Sequence, residues 1–160
     1  MSTLPDFDTL RKNYPDGDPD SVKAEIGGNV DARWISNTCA IRMSRALNYS
    51  GVAIPSKFAG LSVVSGKDGR WYAYRMRELK KWIELTFGKP DIAQTKPVSG
   101  SINRSSFAQH HGIVAFDIHF DDASGHLDLW DGKNYIHESA DPRDYFTLAT
   151  SVVLWDLAAR

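Results

Sequence analysis

The only cysteine of the chain, Cys39, stands where a helix is predicted to begin, directly after the cap candidates Asn37 and Thr38. A thiolate is a strong nucleophile, and the free backbone N–H groups of a helix's first turn favour a negative charge. That effect is worth about 0.3–1 kcal/mol at an exposed site, less than one pKa unit of ~1.36 kcal/mol. A histidine paired with the thiol must therefore supply most of the activation. These residue types indicate attack on a carbonyl group, with the N–H groups available to hold the oxyanion.

Five histidines are candidates for the base that activates the thiol: His110, His111, His119, His126 and His137. The first two are adjacent in a predicted loop, where solvated side chains are expected. The third follows a run of mostly apolar strand residues, so we expect it on a sheet face. His126 instead begins a strand directly after Ser124-Gly125, and a glycine at that point leaves room for a substrate. We therefore predict His126 as the base.

A third group must fix the tautomer of the base, and the following hairpin offers two. If Asp131-Gly132 forms a two-residue turn, His137 lies directly opposite His126. If the loop instead spans residues 131–134, His137 faces Asp128. Because residues two apart on a strand share a face, both registers place all three side chains on one side. We predict His137 as the orienting group, through a ring-to-ring hydrogen bond, with Asp128 as the alternative.

The elements that must position these residues follow from the hydrophobic pattern. Helices are predicted between Pro5 and Pro15, over Ser21–Ile26, from Cys39 to Leu47, and over Ala73–Phe87. Strands are predicted over Gly112–Phe120, His126–Trp130, Lys133–Ser139 and Ser151–Leu157. Helices followed by hairpin-connected strands are typical of the α+β class. We expect N-terminal helices packed on a C-terminal antiparallel sheet, with Trp34 in the core.

Composition narrows the class of protein. The chain has 160 residues, the size of one domain, and we predict a single domain over residues 1–160. A net charge of −1 gives no general electrostatic reason to bind nucleic acid or an anionic membrane. A lone cysteine excludes an intramolecular disulfide and a multi-cysteine zinc site. The N-terminus lacks the features of a secretory signal, which predicts synthesis in the cytoplasm and export by a route without one.

The two segments around the predicted nucleophile and base carry a family resemblance. NTCAIRMSRALN (37–48) and SGHLDLWDG (124–132) resemble the family-four amidase effectors of the type VI secretion system. These are NlpC/P60-like, papain-related toxins that are delivered into rival bacteria. The order of the segments, the layout of helices before sheet and the chain length are also similar to that family.

The resemblance implies a papain-like fold and cleavage of the peptidoglycan stem peptide between D-glutamate and meso-diaminopimelate. It implies no cofactor, action in the periplasm of the target cell, a type VI carrier component, and a cognate immunity protein that blocks the cleft. Cys39 and His126 correspond to nucleophile and base. Similar members carry an aspartate eleven residues after the histidine, and His137 stands there in this chain. Other NlpC/P60 enzymes use a histidine at that place, so the resemblance also assigns it the third role.

Two alternatives remain open from the residues alone. His126, Asp128 and His137 could be the three protein ligands of a catalytic zinc ion, although that would leave Cys39 without a role. The chain could also be a non-catalytic interaction domain in which Cys39 is an inert core residue.

Overall fold

The computed structural model describes residues 3–119 and 124–157. The helices are α1 (Phe7–Lys12), α2 (Pro19–Ile26), α3 (Cys39–Tyr49), α4 (Met76–Phe87) and α5 (Tyr145–Leu148). The strands are β1 (Val63–Ser65), β2 (Trp71–Ala73), β3 (Ile92–Thr95), β4 (Gly112–Asp117), β5 (Gly125–Trp130) and β6 (Ser151–Asp156). Short 3-10 helices lie at Gly28–Val30, Arg104–Phe107 and Glu138–Ala140. No helix within the described ranges is long and apolar enough to cross a bilayer.

The first two helices begin at aspartate caps. Asp6 accepts a hydrogen bond from the Thr9 amide at 2.9 Å, and Asp18 accepts one from the Ser21 amide at 3.1 Å. Each bond satisfies one N–H group that the helix itself leaves free. The proline that follows Asp18 suits the first turn of α2 because it lacks an N–H.

Side chains of α3 fix this helix to β2 and to the loop that follows it. Ser44 Oγ accepts a hydrogen bond from the Ala73 amide at 3.0 Å, and Asn48 Nδ2 donates to the Trp71 carbonyl at 2.8 Å. Asn48 Oδ1 also accepts from the Ile54 amide at 2.8 Å. All of these polar groups are buried or partly buried, so their hydrogen bonds set the position of the helix along the strand.

The main sheet has four antiparallel strands in the order β3-β6-β4-β5, and β1 pairs with β2 in a separate ribbon. The central pairings place Phe116 opposite His126 and Val114 opposite Leu154. Because β5 is an edge strand, only one of its sides is paired with a full strand. The other side is met by a single bridge between Trp130 and Tyr135.

Both faces of this sheet are covered. On one face Ile113 and Ala115 pack with residues of α3 and α4 such as Met43 and Leu79. On the other, alternate residues of the same strands pack with the aromatic residues Phe107, Tyr135, Tyr145 and Phe146. A sheet that is buried on both faces has continuous apolar strands, which is why β4 lacks a polar alternation.

The α+β prediction is confirmed, with helices packed on an antiparallel sheet. Three predicted elements differ from the structure in their bounds or their type. α4 begins at Met76 rather than Ala73, because the residues before it form β2. Lys133–Ser139 is a loop that ends in a 3-10 turn rather than a strand, since Asp131 Oδ1 accepts from the amides of Lys133 and Asn134. The predicted strand Gly112–Phe120 ends at Asp117, and its last residue lies outside the described ranges.

Candidate active site

Cys39 is the first residue of α3 and lies where two clefts meet. Its backbone N–H donates to Asn37 Oδ1 at 3.0 Å, while the N-cap position itself is held by Thr38, which makes no side-chain capping bond. The Thr38 hydroxyl instead accepts from Arg42 Nε at 3.1 Å. The cysteine is only 4% exposed, yet it lines a cleft of about 680 Å³ on one side and one of about 530 Å³ on the other. Cys39 therefore packs with the hydrophobic core and also borders both clefts.

The imidazole of His126 joins Cys39 to Asp128. Its Nε2 lies 2.8 Å from Asp128 Oδ2, and the Cys39 side chain lies near enough to the ring to raise its pKa. Since Nε2 is engaged by the carboxylate, Nδ1 is the nitrogen left for the thiol. The residues come from the start of α3 and from β5, which are in contact. The structure thus brings together the predicted nucleophile and the predicted base.

His126 is held in its charged form. Burial lowers the pKa of the imidazole, but the hydrogen bond with Asp128 and the neighbouring Cys39 side chain outweigh this and raise the pKa to about 10. Burial alone would favour the neutral ring. An imidazolium beside a cysteine favours the thiolate, which is the reactive form.

Asp128 is fully buried and accepts three hydrogen bonds. Its Oδ1 accepts from the Leu129 amide at 2.8 Å, while Oδ2 accepts from the His137 amide at 3.0 Å and pairs with His126. Burial raises the pKa of this carboxyl, but His126 and His137 outweigh that effect and hold the pKa well below its ordinary value. A buried carboxylate that is this well satisfied stays ionised and keeps one orientation.

His137 pairs with Asp128 and makes no hydrogen bond to the ring of His126. Its Nδ1 lies 3.5 Å from Asp128 Oδ2, and the centroids of the two histidine rings are 6.4 Å apart. The predicted ring-to-ring hydrogen bond is replaced by the bond from His126 to Asp128. The Trp130–Tyr135 bridge belongs to the register with the four-residue loop, in which His137 faces Asp128. Within residues 3–119 and 124–157, neither ring nitrogen of His137 has a hydrogen-bond partner.

Gly125 has a different role from the predicted one. A Cβ atom at this position would lie 2.1 Å from the carbonyl oxygen of Phe116 in β4. The glycine is therefore required by the close approach of two strands. It also lines the smaller cleft beside His126, so the absence of a side chain keeps that cleft open as well.

The other three histidines lie apart from the thiol. His110 Nδ1 is 2.7 Å from Asp156 Oδ2, and His111 packs against Phe7 with ring centroids 5.5 Å apart. These contacts differ from the fully solvated side chains that were expected. His119 is exposed just beyond the end of β4.

Sequence reasoning missed Tyr14 and Arg42 as neighbours of the site. Burial and the nearby charge of Asp128 raise the pKa of Tyr14 well above its ordinary value, and its hydroxyl has no hydrogen-bond partner within the described ranges. Arg42 lines the smaller cleft and donates to the Pro15 carbonyl at 3.0 Å. Its spacing of three residues from Cys39 on a helix could have indicated a shared face. Trp34 is 61% exposed, so its predicted core position is wrong.

The site also has the donor atoms for a metal ion. One ligand atom from each of His126, Asp128 and His137 lies within 4.8 Å of the others. Two imidazoles and a carboxylate are a valid ligand set for zinc. In this arrangement the metal would have to displace the hydrogen bond between His126 and Asp128.

Comparisons with known proteins identify the family of the chain. The Tae4 family, described as type VI secretion system (T6SS), amidase effector protein 4, matches residues 35–155. A search of curated proteins gives no match. Among solved structures, the Tae4–Tai4 effector–immunity complex from Enterobacter cloacae has a TM-score of 0.84 at 28% identity, over 97% of this chain and 99% of that chain.

Two further solved structures are similar. The Tae4/Tai4 effector–immunity system from Salmonella typhimurium has a TM-score of 0.83 at 29% identity, over 97% of this chain and 99% of that one. The Salmonella typhimurium effector Tae4 in complex with the immunity Tai4 from Enterobacter cloacae has a TM-score of 0.80 at 30% identity, with 96% and 99% covered. The matched range includes Cys39, His126 and His137, and the chain belongs to the Tae4 family of type VI secretion system amidase effectors.

Proposed function

We propose that this protein is an antibacterial cysteine amidase that hydrolyses the peptidoglycan stem peptide at the D-glutamyl–meso-diaminopimelate amide. Cys39 is the nucleophile and His126 the base. The observation that carries this proposal is that Cys39 and His126 line the same cleft while Asp128 holds the ring of His126 at 2.8 Å. The family membership supports an amidase over a non-catalytic interaction domain.

In the proposed reaction the Cys39 thiolate attacks the amide carbon and forms a C–S bond, while the carbonyl oxygen takes the negative charge. The imidazolium of His126 then donates its proton to the leaving nitrogen as the C–N bond breaks. Water attacks the resulting thioester, His126 accepts its proton, and the thiolate departs. We assign the oxyanion to the side-chain amide of Asn37, which lines both clefts beside the thiol.

We assign the orienting role to Asp128, with His137 acting through it. Asp128 contacts the ring of the base directly at 2.8 Å, whereas His137 reaches only the carboxylate. A carboxylate at this place fixes the tautomer and stabilises the imidazolium that the reaction requires. His137 contributes a backbone N–H and the positive edge of its ring, which hold the carboxylate in position.

We further propose delivery by a type VI carrier component and action in the periplasm of the target bacterium. The similar solved effectors are described as complexes with the immunity protein Tai4. We infer that a cognate immunity protein blocks the cleft above Cys39 in the producing cell. Expression of the chain with a periplasmic signal should then lyse cells, and expression without one should not.

Digestion of isolated peptidoglycan followed by mass spectrometry of the fragments tests this function. Wild type should produce new termini at the D-glutamyl–meso-diaminopimelate bond, and both Cys39→Ala and His126→Ala should produce none while remaining folded by circular dichroism. Lys12→Gln, an exposed change away from the clefts, should match wild type. Near-normal turnover by His126→Ala would refute the assigned base.

The zinc alternative rests on the same three ligand atoms and makes opposite predictions. It requires stoichiometric zinc in active protein, loss of activity with a chelator, and retention of activity in Cys39→Ala. Our proposal requires turnover in the presence of the chelator and complete dependence on Cys39.

A further inference from the structure

The larger cleft is rich in positive charge. We call it the α4 arm, because most of its lining comes from the start of α4 and the two residues before it. Arg75, Arg77 and Lys81 line it together with one acidic residue, Glu78, and with Tyr74. The arm begins at Cys39 itself, so a substrate group bound in it lies next to the reacting thiol.

The acidic residue Glu78 pairs with only one of the three cations, Arg75. Glu78 Oε1 accepts from the Ser62 amide at 2.7 Å, and Glu78 Oε2 lies 3.4 Å from Arg75 Nη1. The side chains of Arg77 and Lys81 have neither an ion pair nor a hydrogen bond with any residue in 3–119 or 124–157. By contrast, Lys80 on the same helix contacts both carboxylate oxygens of Asp117, at 3.1 and 3.2 Å.

The unpaired cations Arg77 and Lys81 are close enough along α4 to bind one anion together. Arg77 and Lys81 are four residues apart on α4 and therefore lie on one face of the helix. Like charges at this spacing destabilise an isolated helix, so an anion bound between them is favoured. Tyr74 contributes an aromatic ring to the lining of the cleft, and this ring packs edge-on against Trp34 with the centroids 4.8 Å apart. An apolar wall weakens solvent screening and strengthens the attraction for an anion.

The smaller cleft does not have this excess. Its arginine Arg143 is bound to Asp141 at 2.7 Å, and Arg42 is committed to Thr38 and to a backbone carbonyl. Asp18 in the same cleft caps α2. The groove over Cys39 is therefore electrostatically asymmetric, with its free positive charge on the α4 side.

We propose that Arg77 and Lys81 form a carboxylate-binding subsite that positions an acidic peptide beside Cys39. This inference rests on the proposed function and specifies its substrate class: stem peptides whose carboxylates next to the scissile amide are free. Guanidinium and ammonium groups bind carboxylates through charge-assisted hydrogen bonds. Peptides in which these carboxylates are converted to carboxamides lose that attraction and are poor substrates.

The test compares a free-acid stem peptide with its amidated counterpart. Wild type should cleave the free acid with at least about 10-fold higher kcat/KM, and the preference should shrink at high salt. Arg77→Gln and Lys81→Gln should each raise KM for the free acid about 3- to 10-fold with little change in kcat, and the double variant should remove the preference. Lys89→Gln, the same charge change just beyond the other end of α4, should behave as wild type.

Binding measured in the Cys39→Ala background separates this inference from the proposed reaction. Calorimetry with the free-acid peptide should show weaker binding after Arg77→Gln and Lys81→Gln, whether or not the wild-type protein cleaves that bond. Equal kcat/KM for the free and amidated peptides in wild type would overturn the subsite, as would an equal loss in Lys89→Gln. Cleavage that persists in Cys39→Ala would overturn the proposed nucleophile instead and leave the subsite standing.

Discussion

Replacement of Asp128 by asparagine should separate its role from that of His137. The side chain keeps its size, but the charge beside His126 disappears. Asp128 accepts at both oxygens, so the new NH2 group must face an N–H donor, either that of Leu129 or those of the two histidines. We expect the free energy of unfolding to fall by about 2–4 kcal/mol, because this group is 0% exposed and no water can compensate.

The catalytic effect follows from the pKa of His126. The raised value of about 10 is supported by the hydrogen bond that His126 donates to Asp128 and by the neighbouring Cys39 side chain. Removal of a neighbouring opposite charge lowers such a pKa by roughly 1–3 units. The alkaline limb of kcat/KM should then move down from near pH 10 by a similar amount. The value of kcat should fall about 100- to 10,000-fold, as expected when a base loses its orienting carboxylate.

Steady-state kinetics on a stem peptide from pH 5 to pH 11 measure both effects. Asp68→Asn is the control, because Asp68 also binds buried side chains but lies away from the clefts. If the alkaline limb stayed in place and kcat remained within about 3-fold of wild type, Asp128 would not orient the base. If kcat fell more in His137→Gln than in Asp128→Asn, the orienting role would belong to His137.

Three further outcomes are expected. His137→Gln should lower kcat only about 3- to 10-fold in the same assay, because its backbone N–H still donates to Asp128 and only the ring is lost. Gly125→Ala should lower the free energy of unfolding in urea by about 2–4 kcal/mol, because its Cβ would lie 2.1 Å from the Phe116 carbonyl oxygen; an unchanged midpoint would contradict this. His126 binds its proton more tightly when folded, so wild type should lose stability as the pH rises from 6.5 to about 10, and His126→Asn should flatten that slope.

Local sequence rules were sufficient for part of the site. His126 and Asp128 share a strand face because they are two residues apart, and this geometry is independent of the rest of the fold. The start of α3 at Cys39 was likewise visible from the capping residues before it. In both cases the spacing within one element decided the geometry.

Other parts depend on contacts between elements. Asp131-Gly132 is compatible with a two-residue turn and with a four-residue loop, and the choice is made by Asp131 Oδ1, which accepts from the amides of Lys133 and Asn134. The strand β3 has an exposed, unpatterned sequence, so it is recognised only by its pairing with β6. Tyr14 is one member of an apolar helical stripe in the sequence, and only packing places its ring 5.8 Å from that of His137.

The carboxylate beside the base lies on the same strand as the base, and position 137 supports it. His137 stands at the position to which the family resemblance assigns the third catalytic role. The backbone N–H of His137 donates to Asp128, and its ring nitrogen Nδ1 lies 3.5 Å from the same carboxylate. Both contacts favour the ionised form of Asp128, which lies on the same strand as His126. A second carboxylate at position 137 would bring two negative charges close together in a buried site and raise the pKa of one of them. His137→Asp should therefore not restore a stronger site in this chain, and we expect it to lower kcat more than His137→Gln does.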